Sequence, residues 1–444
     1  MERNRRRSWN LLLLAALLAS CGCHRYLVAT PNILLHRDCC RTFDDCPAGC
    51  QSPDMEVIYA TDRANDKDTA AGPNYGYKRA KWLAFGTAKV SLNPHPTWQQ
   101  LRADSLVQRR KQDYALNVSE VREAGRFAFV LDKLRATKDG LDVTARTYRE
   151  LEQERAKLHD LLRERLAHTP QKDVFIFIHG FNTAFNDSVY RPAEVWHFMG
   201  RVGVPIAYTW PAGFPDLRGY AYDRESGEFT IFHLKNFIRT VASCPEVERI
   251  HLVAHSRGTD VTITALRELN IEYQAKGEST AEALKIENLV LAAPDLDEDV
   301  FMQRFTAENL LEAAKRTTIY VSTRDKAIGL ADFLFASKRR VGALGPRDFS
   351  PSMRQMLAKL PNLQFIECNV KSSSIVASHD YVFNHPAALS DLILVLRDRR
   401  PPGAENGRPL RQSVEGVWEL TNDYLATAPS HSPILPVQFL NRSN

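Results

Sequence analysis

One serine stands where an apolar run gives way to a helical pattern. The run Ile250–Ala254 is followed by the tetrapeptide His-Ser-Arg-Gly, in which the serine is Ser256, and then by a helix-like spacing. A sharp strand-to-helix turn of the form Gly-x-Ser-x-Gly exposes its serine as a nucleophile. Ala254 replaces the first glycine, and alanine is the smallest residue with a Cβ. We therefore predict Ser256 as the nucleophile, with a buried structural serine as the alternative if the pentapeptide is taken alone.

A second apolar run leads directly into a His-Gly pair. Val174–Ile178 precedes His179 and Gly180. Backbone N–H groups in such a loop, together with the amide after the nucleophile, can stabilise the oxyanion of an acyl-transfer intermediate. The predicted donors are the amides of Phe181 and Arg257, and Gly180 leaves the substrate oxygen unobstructed. His179 is expected to hold the loop through hydrogen bonds and is not assigned as a base.

The acid of a Ser-acid-His triad must follow the serine in the chain. Asp325 follows the apolar run Thr317–Val321, and Asp295 stands one strand earlier, with Asp297 close behind it. The acid of such triads more often follows the later of these two strands, which favours Asp325. Asp295 and Asp297 stay open as alternatives.

The base must follow the last strand. His379 lies between the apolar run Leu363–Val370 and a helical pattern, which is the position expected of the triad histidine. His385 is the rival. Because it directly precedes Pro386, it is better explained as the start of that helix.

These residues need a scaffold that brings them together. From Asp173 onward, short apolar runs alternate with longer helical segments, which predicts a mostly parallel sheet covered by helices on both faces. In such sheets the ligand site lies beyond the carboxyl ends of the strands. The predicted strands are Met55–Thr61, Trp82–Leu92, Val174–Ile178, Pro205–Trp210, Arg249–Ala254, Ile286–Ala292, Thr317–Val321 and Leu363–Val370. The predicted crossover helices are Ser188–Val202, Asp223–Ala242, Thr259–Tyr273, Asp299–Lys315 and Pro386–Asp398.

The rest of the chain is arranged around that sheet. Residues 54–400 are predicted to form the domain, and residues 96–170, which are polar with helical spacing, are expected to be a helical insertion before the His-Gly strand. Residues 22–53 are expected to be a cysteine-rich tether. Residues 401–444 are expected to be a proline-rich tail packed loosely on the domain.

Seven segments carry a resemblance to a known family. They are Ile58–Arg63 (IYATDR), His179–Asn182 (HGFN), Tyr220–Ser226 (YAYDRES), Ala254–Gly258 (AHSRG), Leu291–Asp297 (LAAPDLD), Ser322–Ala327 (STRDKA) and Ser378–Pro386 (SHDYVFNHP). Together they resemble a largely uncharacterised bacterial family of esterase/lipase-like α/β-hydrolases, over about residues 55–400. The resemblance implies the α/β-hydrolase fold and the triad but no substrate.

The N-terminus has the pattern of an export signal. Four arginines precede the apolar run Trp9–Ala19, which is shorter than the 20 or so residues of a membrane-spanning helix. Leu18-Ala19-Ser20-Cys21 resembles the bacterial lipobox, so residues 1–21 are predicted to be a signal peptide ending in a lipidated Cys21. Gly22 in place of Asp favours the outer membrane as the site of anchoring. An ordinary signal peptide is the alternative.

Cysteines crowd the region after the predicted cleavage site. Five of the eight cysteines lie there, and in an exported chain they are candidates for disulfides. They lack the paired Cys-x-x-Cys or Cys and His spacing of a zinc site, so no metal is predicted. Cys244 and Cys368 are expected to be buried thiols. The five are Cys23, Cys39, Cys40, Cys46 and Cys50.

Charge and chemistry limit the possible functions. The chain has 58 basic and 53 acidic residues and a net charge of +5, which is too balanced to imply a nucleic-acid partner. A serine hydrolase cleaving the carboxylic ester of a small molecule or lipid, without cofactor or metal, fits the motifs. Two alternatives are a non-catalytic, membrane-anchored binding or scaffold protein that retains the fold, and an acyltransferase using the same triad.

Overall fold

The structure is a computed structural model. It describes residues 25–35, 42–128, 134–138, 140–214, 218–325, 327–328, 339–371 and 378–425. The predicted signal peptide and Cys21 lie outside this range. Among the helices of the described residues, none combines the length and apolar character needed to cross a membrane.

One large sheet organises the described chain. The strands of the described residues are β1 (Met55–Thr69), β2 (Gly72–Asn93), β3 (Ala115–Phe127), β4 (Leu134–Thr137), β5 (Gly140–Val143), β6 (Asp173–Ile178), β7 (Val204–Thr209), β8 (Arg249–His255), β9 (Ile286–Ala292), β10 (Arg316–Val321), β11 (Leu363–Asn369), β12 (Arg411–Val414) and β13 (Val417–Thr421). Eleven of them form the large sheet in the order β12-β13-β11-β10-β9-β8-β6-β7-β1-β2-β3, and β4 and β5 form a separate hairpin.

The central part of the sheet is parallel. Every neighbouring pair from β13 to β1 is parallel, for example β6 with β8, where Ile176 lies opposite Leu252. The two edges are antiparallel, through β2 and β3 on one side and β12 on the other. The predicted strands from residue 173 to 370 are found within about one residue of their expected bounds. The near-continuous apolar runs arise because both faces of this region are buried.

Helices cover both faces of the sheet, which confirms the predicted fold class. They are α1 (Trp98–Asp104), α2 (Ala145–Ala167), α3 (Phe185–Phe198), α4 (Gly219–Ala242), α5 (Gly258–Ala275), α6 (Thr280–Ala283), α7 (Glu298–Met302), α8 (Pro351–Ala358), α9 (Tyr381–Asn384) and α10 (Pro386–Leu396). On one face α3 and α10 pack over the strands, and on the other face α2, α4 and α5 do so. Shorter 3₁₀ turns lie at Asn32–Leu35, Ala48–Cys50, Leu310–Ala313, Val341–Ala343, Pro346–Asp348 and Ala404–Asn406, and a π-helical turn spans Gln303–Ala307.

The helix predicted over residues 299–315 is broken in the structure. Its first turns are α7 and the π-helical turn, and the backbone then leaves the helical region at Asn309, where φ is 50°. Asparagine tolerates this left-handed conformation, which ends a helix. A 3₁₀ turn over Leu310–Ala313 completes the connection to β10.

The predicted helical insertion over residues 96–170 is only partly helical. The amphipathic helix is present as α2, which Thr144 caps and which buries Leu158, Leu162 and Leu166 against the sheet. Ahead of it, however, β3 extends the main sheet and β4 and β5 form a hairpin. In β3, buried Leu116, Val118 and Val121 alternate with polar residues because one face is solvated. In the sequence, such a mixture of polar and apolar residues resembles the surface of an amphipathic helix.

The predicted tether is also wrong for the part that the structure describes. Residues 25–35 and 42–53 pack against the fold, and Ile33, Leu34 and Phe43 are buried in the core. Their apolar side chains supply the reason, since exposing them would forfeit hydrophobic stabilisation. Cys46 and Cys50 carry free thiols here, and the other three clustered cysteines lie outside the described residues. Cys244 and Cys368 are buried thiols, as predicted.

The first part of the predicted C-terminal tail belongs to the sheet. β13 pairs with β11 and β12 pairs with β13. Arg408, which is fully buried, donates two hydrogen bonds to Asp391 in α10, at 2.8 and 2.7 Å. The hydroxyl groups of Tyr320 and Tyr424 donate to the same carboxylate. These contacts fix residues 404–425 against α10 and the sheet edge, so this segment is not loosely packed.

Removing the Asp391 carboxylate is expected to destabilise the protein strongly. Asp391→Ala leaves the Arg408 charge buried without its partner and should lower the free energy of unfolding by about 3–5 kcal/mol. Urea denaturation followed by tryptophan fluorescence measures this loss. Arg146→Ala is the control, because it breaks an exposed pair with Glu150 that is worth about 0.3–0.5 kcal/mol. Equal losses in the two variants would contradict the assigned role of Asp391.

Candidate active site

The predicted site residues meet at the carboxyl edge of the parallel strands. β8, β9, β10 and β11 are consecutive in the sheet, with β6 on the other side of β8. Ser256 follows β8, Asp295 follows β9, Asp325 follows β10 and His379 comes after β11. Since parallel strands all end at the same edge, residues up to 123 positions apart in the chain lie in one region of the surface.

Ser256 occupies a sharp turn between β8 and α5. Its φ of 52° lies in the left-handed region, which is uncommon for a residue with a side chain. The strained turn is held on both sides, because the Ser256 N–H donates to the Ala292 carbonyl at 3.0 Å and the Ser256 carbonyl accepts from the Thr259 N–H at 3.0 Å. The residue is 6% exposed. This is the geometry of a nucleophile elbow.

Two glycines let the elbow approach the His-Gly loop closely. A Cβ added to Gly180 would lie 2.7 Å from the Cβ of Ser256 and 3.3 Å from its Oγ. A Cβ added to Gly258 would lie 2.3 Å from the His179 carbonyl oxygen. Both positions therefore require glycine for steric reasons. The contact places the loop after β6 directly beside the serine.

The two predicted oxyanion donors flank Ser256. Phe181 follows Gly180 in the adjoining loop, and Arg257 follows the serine at the start of α5. Within the described part of the chain, neither backbone N–H takes part in a hydrogen bond. Arg257 stands at the N-terminus of α5, where the helix dipole favours negative charge.

His179 has the contacts of a residue that holds the loop. Its ring stacks on Trp210 at 5.0 Å, and the Trp210 indole N–H donates to the His179 carbonyl at 2.8 Å. Nδ1 donates to the Gly180 carbonyl at 2.9 Å, and Nε2 accepts from the Arg63 guanidinium at 3.2 Å while lying 3.1 Å from the Trp210 carbonyl. Burial lowers the pKa of His179 well below its ordinary value. A neutral ring with both nitrogens engaged agrees with the structural role predicted for it.

Two buried charged residues tie the same loop to its surroundings. Arg63, at the middle of β1, donates to the carbonyls of Thr183 at 2.7 Å and Ala212 at 2.9 Å. Asp223, in α4, accepts from the Asn182 N–H at 2.9 Å. Burial lowers the pKa of Arg63 to about 10 and raises that of Asp223 to about 6. Sequence reasoning placed both residues in family motifs without assigning them a role, because the motifs do not show which loop they contact.

His379 is paired with Asp325. The Nδ1 atom of His379 lies 2.7 Å from Oδ2 of Asp325, and this carboxylate is buried. The other oxygen, Oδ1, accepts from the backbone N–H groups of Ala327 at 3.0 Å and Ile328 at 3.1 Å. Because the carboxylate accepts the proton on Nδ1, Nε2 of the neutral imidazole is left as an acceptor.

The competing acids have other partners. Asp295 lies 3.4 Å from a guanidinium nitrogen of Arg340 and accepts from the Tyr220 hydroxyl at 3.2 Å. Its backbone N–H donates to the Ser256 carbonyl, which makes it a support of the elbow. The Asp297 side chain accepts from the first amides of α7 and so caps that helix. The structure thus brings Asp325, and neither alternative, into hydrogen bonding with His379.

The rival histidine serves the helix that follows it. His385 is the N-cap of α10, and its Nδ1 accepts from the Ala387 N–H at 3.3 Å. Burial lowers its pKa. This is the helix-start role predicted from the proline that follows.

The electrostatics of His379 favour its charged form. Burial by itself lowers its pKa, but the charge of Asp325 and the hydrogen bond with it outweigh burial, and the net result is a pKa of about 9. An imidazolium beside a carboxylate is the state that arises during acyl transfer, when the base has taken the serine proton.

The described residues contain no cluster of His, Cys, Asp and Glu side chains that could hold a metal ion.

Comparison with known proteins agrees with the fold. Residues 154–399, more than half of the chain, match the family model described as "Alpha/beta hydrolase of unknown function (DUF900)". The chain belongs to this family of α/β-hydrolases. The matched region contains all three triad candidates and both oxyanion candidates. No curated protein matches the chain.

Proposed function

We propose that the protein is a serine hydrolase that cleaves carboxylic esters through Ser256, His379 and Asp325. The observation that carries the proposal is the 2.7 Å contact between His379 and the buried, doubly hydrogen-bonded carboxylate of Asp325. It occurs at the same sheet edge as a serine held in a strained elbow. A serine, an oriented histidine and two adjacent amides are the complete set of groups that acyl transfer requires.

The mechanism follows from these roles. Ser256 Oγ attacks the ester carbonyl carbon while Nε2 of His379 takes the hydroxyl proton, and the amides of Phe181 and Arg257 stabilise the oxyanion. The carbonyl re-forms as the alcohol leaves with the proton from His379. Water then attacks the acyl-enzyme, again with His379 as base, and releases the acid and the free serine. An alcohol or amine in place of water would give acyl transfer with the same groups.

A fluorophosphonate probe tests the proposal without knowledge of the substrate. Incubated with the purified full chain, the probe should phosphonylate one serine, and peptide mass spectrometry should locate it at Ser256. His379→Ala should label far more slowly because the hydroxyl is no longer deprotonated. Native protein that never labels would favour the non-catalytic scaffold instead.

The activity is expected to rise with pH. The base must be neutral to accept the serine proton, so kcat/KM should increase through a midpoint of about 9 and level off above it. The same shift predicts that the ion pair stabilises the fold fully below the unfolded pKa of about 6.5 and that this contribution is lost as pH rises through about 9. Initial rates on a neutral p-nitrophenyl ester, corrected for spontaneous hydrolysis, measure the profile. A midpoint near 6 would contradict the pairing of His379 with Asp325.

We also propose that the chain is exported and anchored to a membrane of the cell envelope through lipidated Cys21. The support is the basic and apolar pattern before the Leu-Ala-Ser-Cys sequence. Cys21→Ser should abolish incorporation of a labelled fatty acid and release the protein from the membrane fraction. Cys23→Ser, two residues away, is the matched control and should behave as wild type. Lipid incorporation that persists in Cys21→Ser would refute the anchor.

A further inference from the structure

A chain of charged side chains, buried at Glu194 and partly buried at Arg191 and Asp380, leads from α3 to the candidate base. Glu194, 1% exposed, accepts from the backbone N–H of Val28 at 2.9 Å and lies 3.3 Å from Arg191. Arg191 in turn donates to Oδ2 of Asp380 at 2.8 Å and to Oδ1 of Asn384 at 2.7 Å. Asp380 directly follows His379. The Arg191 guanidinium therefore lies between two carboxylates, Glu194 on one side and Asp380 on the other.

The second oxygen of Asp380 faces a histidine that precedes the nucleophile. Oδ1 lies 3.5 Å from Nε2 of His255, and the same nitrogen lies 3.3 Å from the His379 carbonyl oxygen. Burial lowers the pKa of His255 to about 4, so its ring is neutral at ordinary pH. Since both groups that face Nε2 are acceptors, that nitrogen carries the proton.

The His255 ring also packs directly on the base. The rings of His255 and His379 are 4.8 Å apart between centroids. Phe383 lies edge-on to His255 at 5.5 Å, and the Arg191 guanidinium lies over the Phe383 ring at 5.2 Å. The His255 side chain thus contacts His379 in two places, at the backbone carbonyl of His379 and at its ring. Arg191 contacts both Asp380 and Phe383, the aromatic residue that packs against His255.

We propose that Asp380, held by Arg191, is a positioning residue for His379: it fixes the tautomer and orientation of His255, and His255 fixes the base relative to Ser256. The proposal rests on the proposed function for its effect on activity. A triad histidine displaced by a fraction of its contact distance loses rate without losing substrate binding. Asp380 would therefore affect kcat while leaving KM unchanged.

The titratable groups around His379 come from four directions. Asp325 approaches from the end of β10, Asp295 from the end of β9, His255 from the end of β8, and Asp380 from the same segment as the base. The three carboxylates all favour the imidazolium, so removing one should shift the titration of His379 to lower pH. Asp325 remains in an Asp380 variant, so the base keeps its hydrogen bond.

The test compares Asp380→Asn with wild type by two readouts. Titration of His379 by NMR, assigned with His379→Gln, needs no substrate, and its midpoint should fall by about one pH unit. On a p-nitrophenyl ester, kcat above the midpoint should fall about 10- to 100-fold with KM unchanged. If Asp380→Asn folds poorly, the double variant Asp380→Asn/Arg191→Met replaces it, because it removes both charges of the ion pair together. The double variant should show the same 10- to 100-fold loss of kcat.

The control is Arg399→Met, which removes an ion pair of similar length, 2.9 Å to Asp173, at the opposite edge of the sheet. It should leave both readouts unchanged. An unchanged titration midpoint in Asp380→Asn, or a kcat loss no greater than in Arg399→Met, would overturn the proposal. Wild-type protein that neither labels nor hydrolyses esters would instead refute the serine hydrolase, and the NMR midpoint would still decide whether Asp380 acts on His379.

Discussion

Ser256→Ala should abolish ester hydrolysis almost completely. Removing the nucleophile of a serine-histidine-acid triad lowers kcat by about a millionfold, because the acyl-enzyme can no longer form. The φ of 52° at Ser256 is as accessible to alanine as to serine, and the turn is held by backbone hydrogen bonds that the substitution retains. The variant should therefore fold normally and bind substrate while losing turnover. Stopped and steady-state assays on a fluorogenic ester measure the loss.

Ser243→Ala supplies the matched control. Ser243 lies just after α4, near the start of β8, at the edge of the sheet away from the site. Its kcat and its labelling by the fluorophosphonate should equal those of wild type. Turnover retained by Ser256→Ala above the level expected from the oxyanion amides alone would mean that another group is the nucleophile.

Asp325→Asn should lower kcat by about ten-thousandfold, as expected when the acid of a triad becomes an amide. The asparagine oxygen can still accept from the amides of Ala327 and Ile328, so its NH₂ group turns toward Nδ1 of His379. Nδ1 must then accept, and the ring proton moves to Nε2, where it blocks removal of the serine proton. Loss of the charge should also move the pH midpoint below about 9.

Asp295→Asn separates the two candidate acids. Its side chain contacts Tyr220 and Arg340, and its backbone N–H, which the substitution keeps, supports the Ser256 carbonyl. We expect its kcat loss to be much smaller than that of Asp325→Asn. If Asp295→Asn were the more damaging change, the acid after β9 would be the member of the triad.

The parallel core could be read from the sequence almost residue by residue. Runs such as Ile286–Ala292 are apolar because both faces of the sheet are covered. The composition of each short segment is therefore enough to predict a buried strand. The strands β3 and β13 have no such apolar run. β3 and β13 bury one face or part of one, so their patterns mix polar and apolar residues and resemble surface helices or tails. The burial of residues 25–35 depends on a surface built by α3 and α10, far away in the chain.

The candidate site divides in the same way. The sequence by itself determined the elbow at Ser256, the His-Gly loop, and the chain order of nucleophile, acid and base, because each depends on a strand and the few residues after it. Only the tertiary structure distinguished Asp325 from Asp295, since both follow neighbouring strands and differ in which side chain each one meets. It also revealed the contacts of Arg63, Asp223 and Asp380. These join residues from separate elements, and the free energy of such a contact depends on distance and burial in space, which spacing along the chain does not encode.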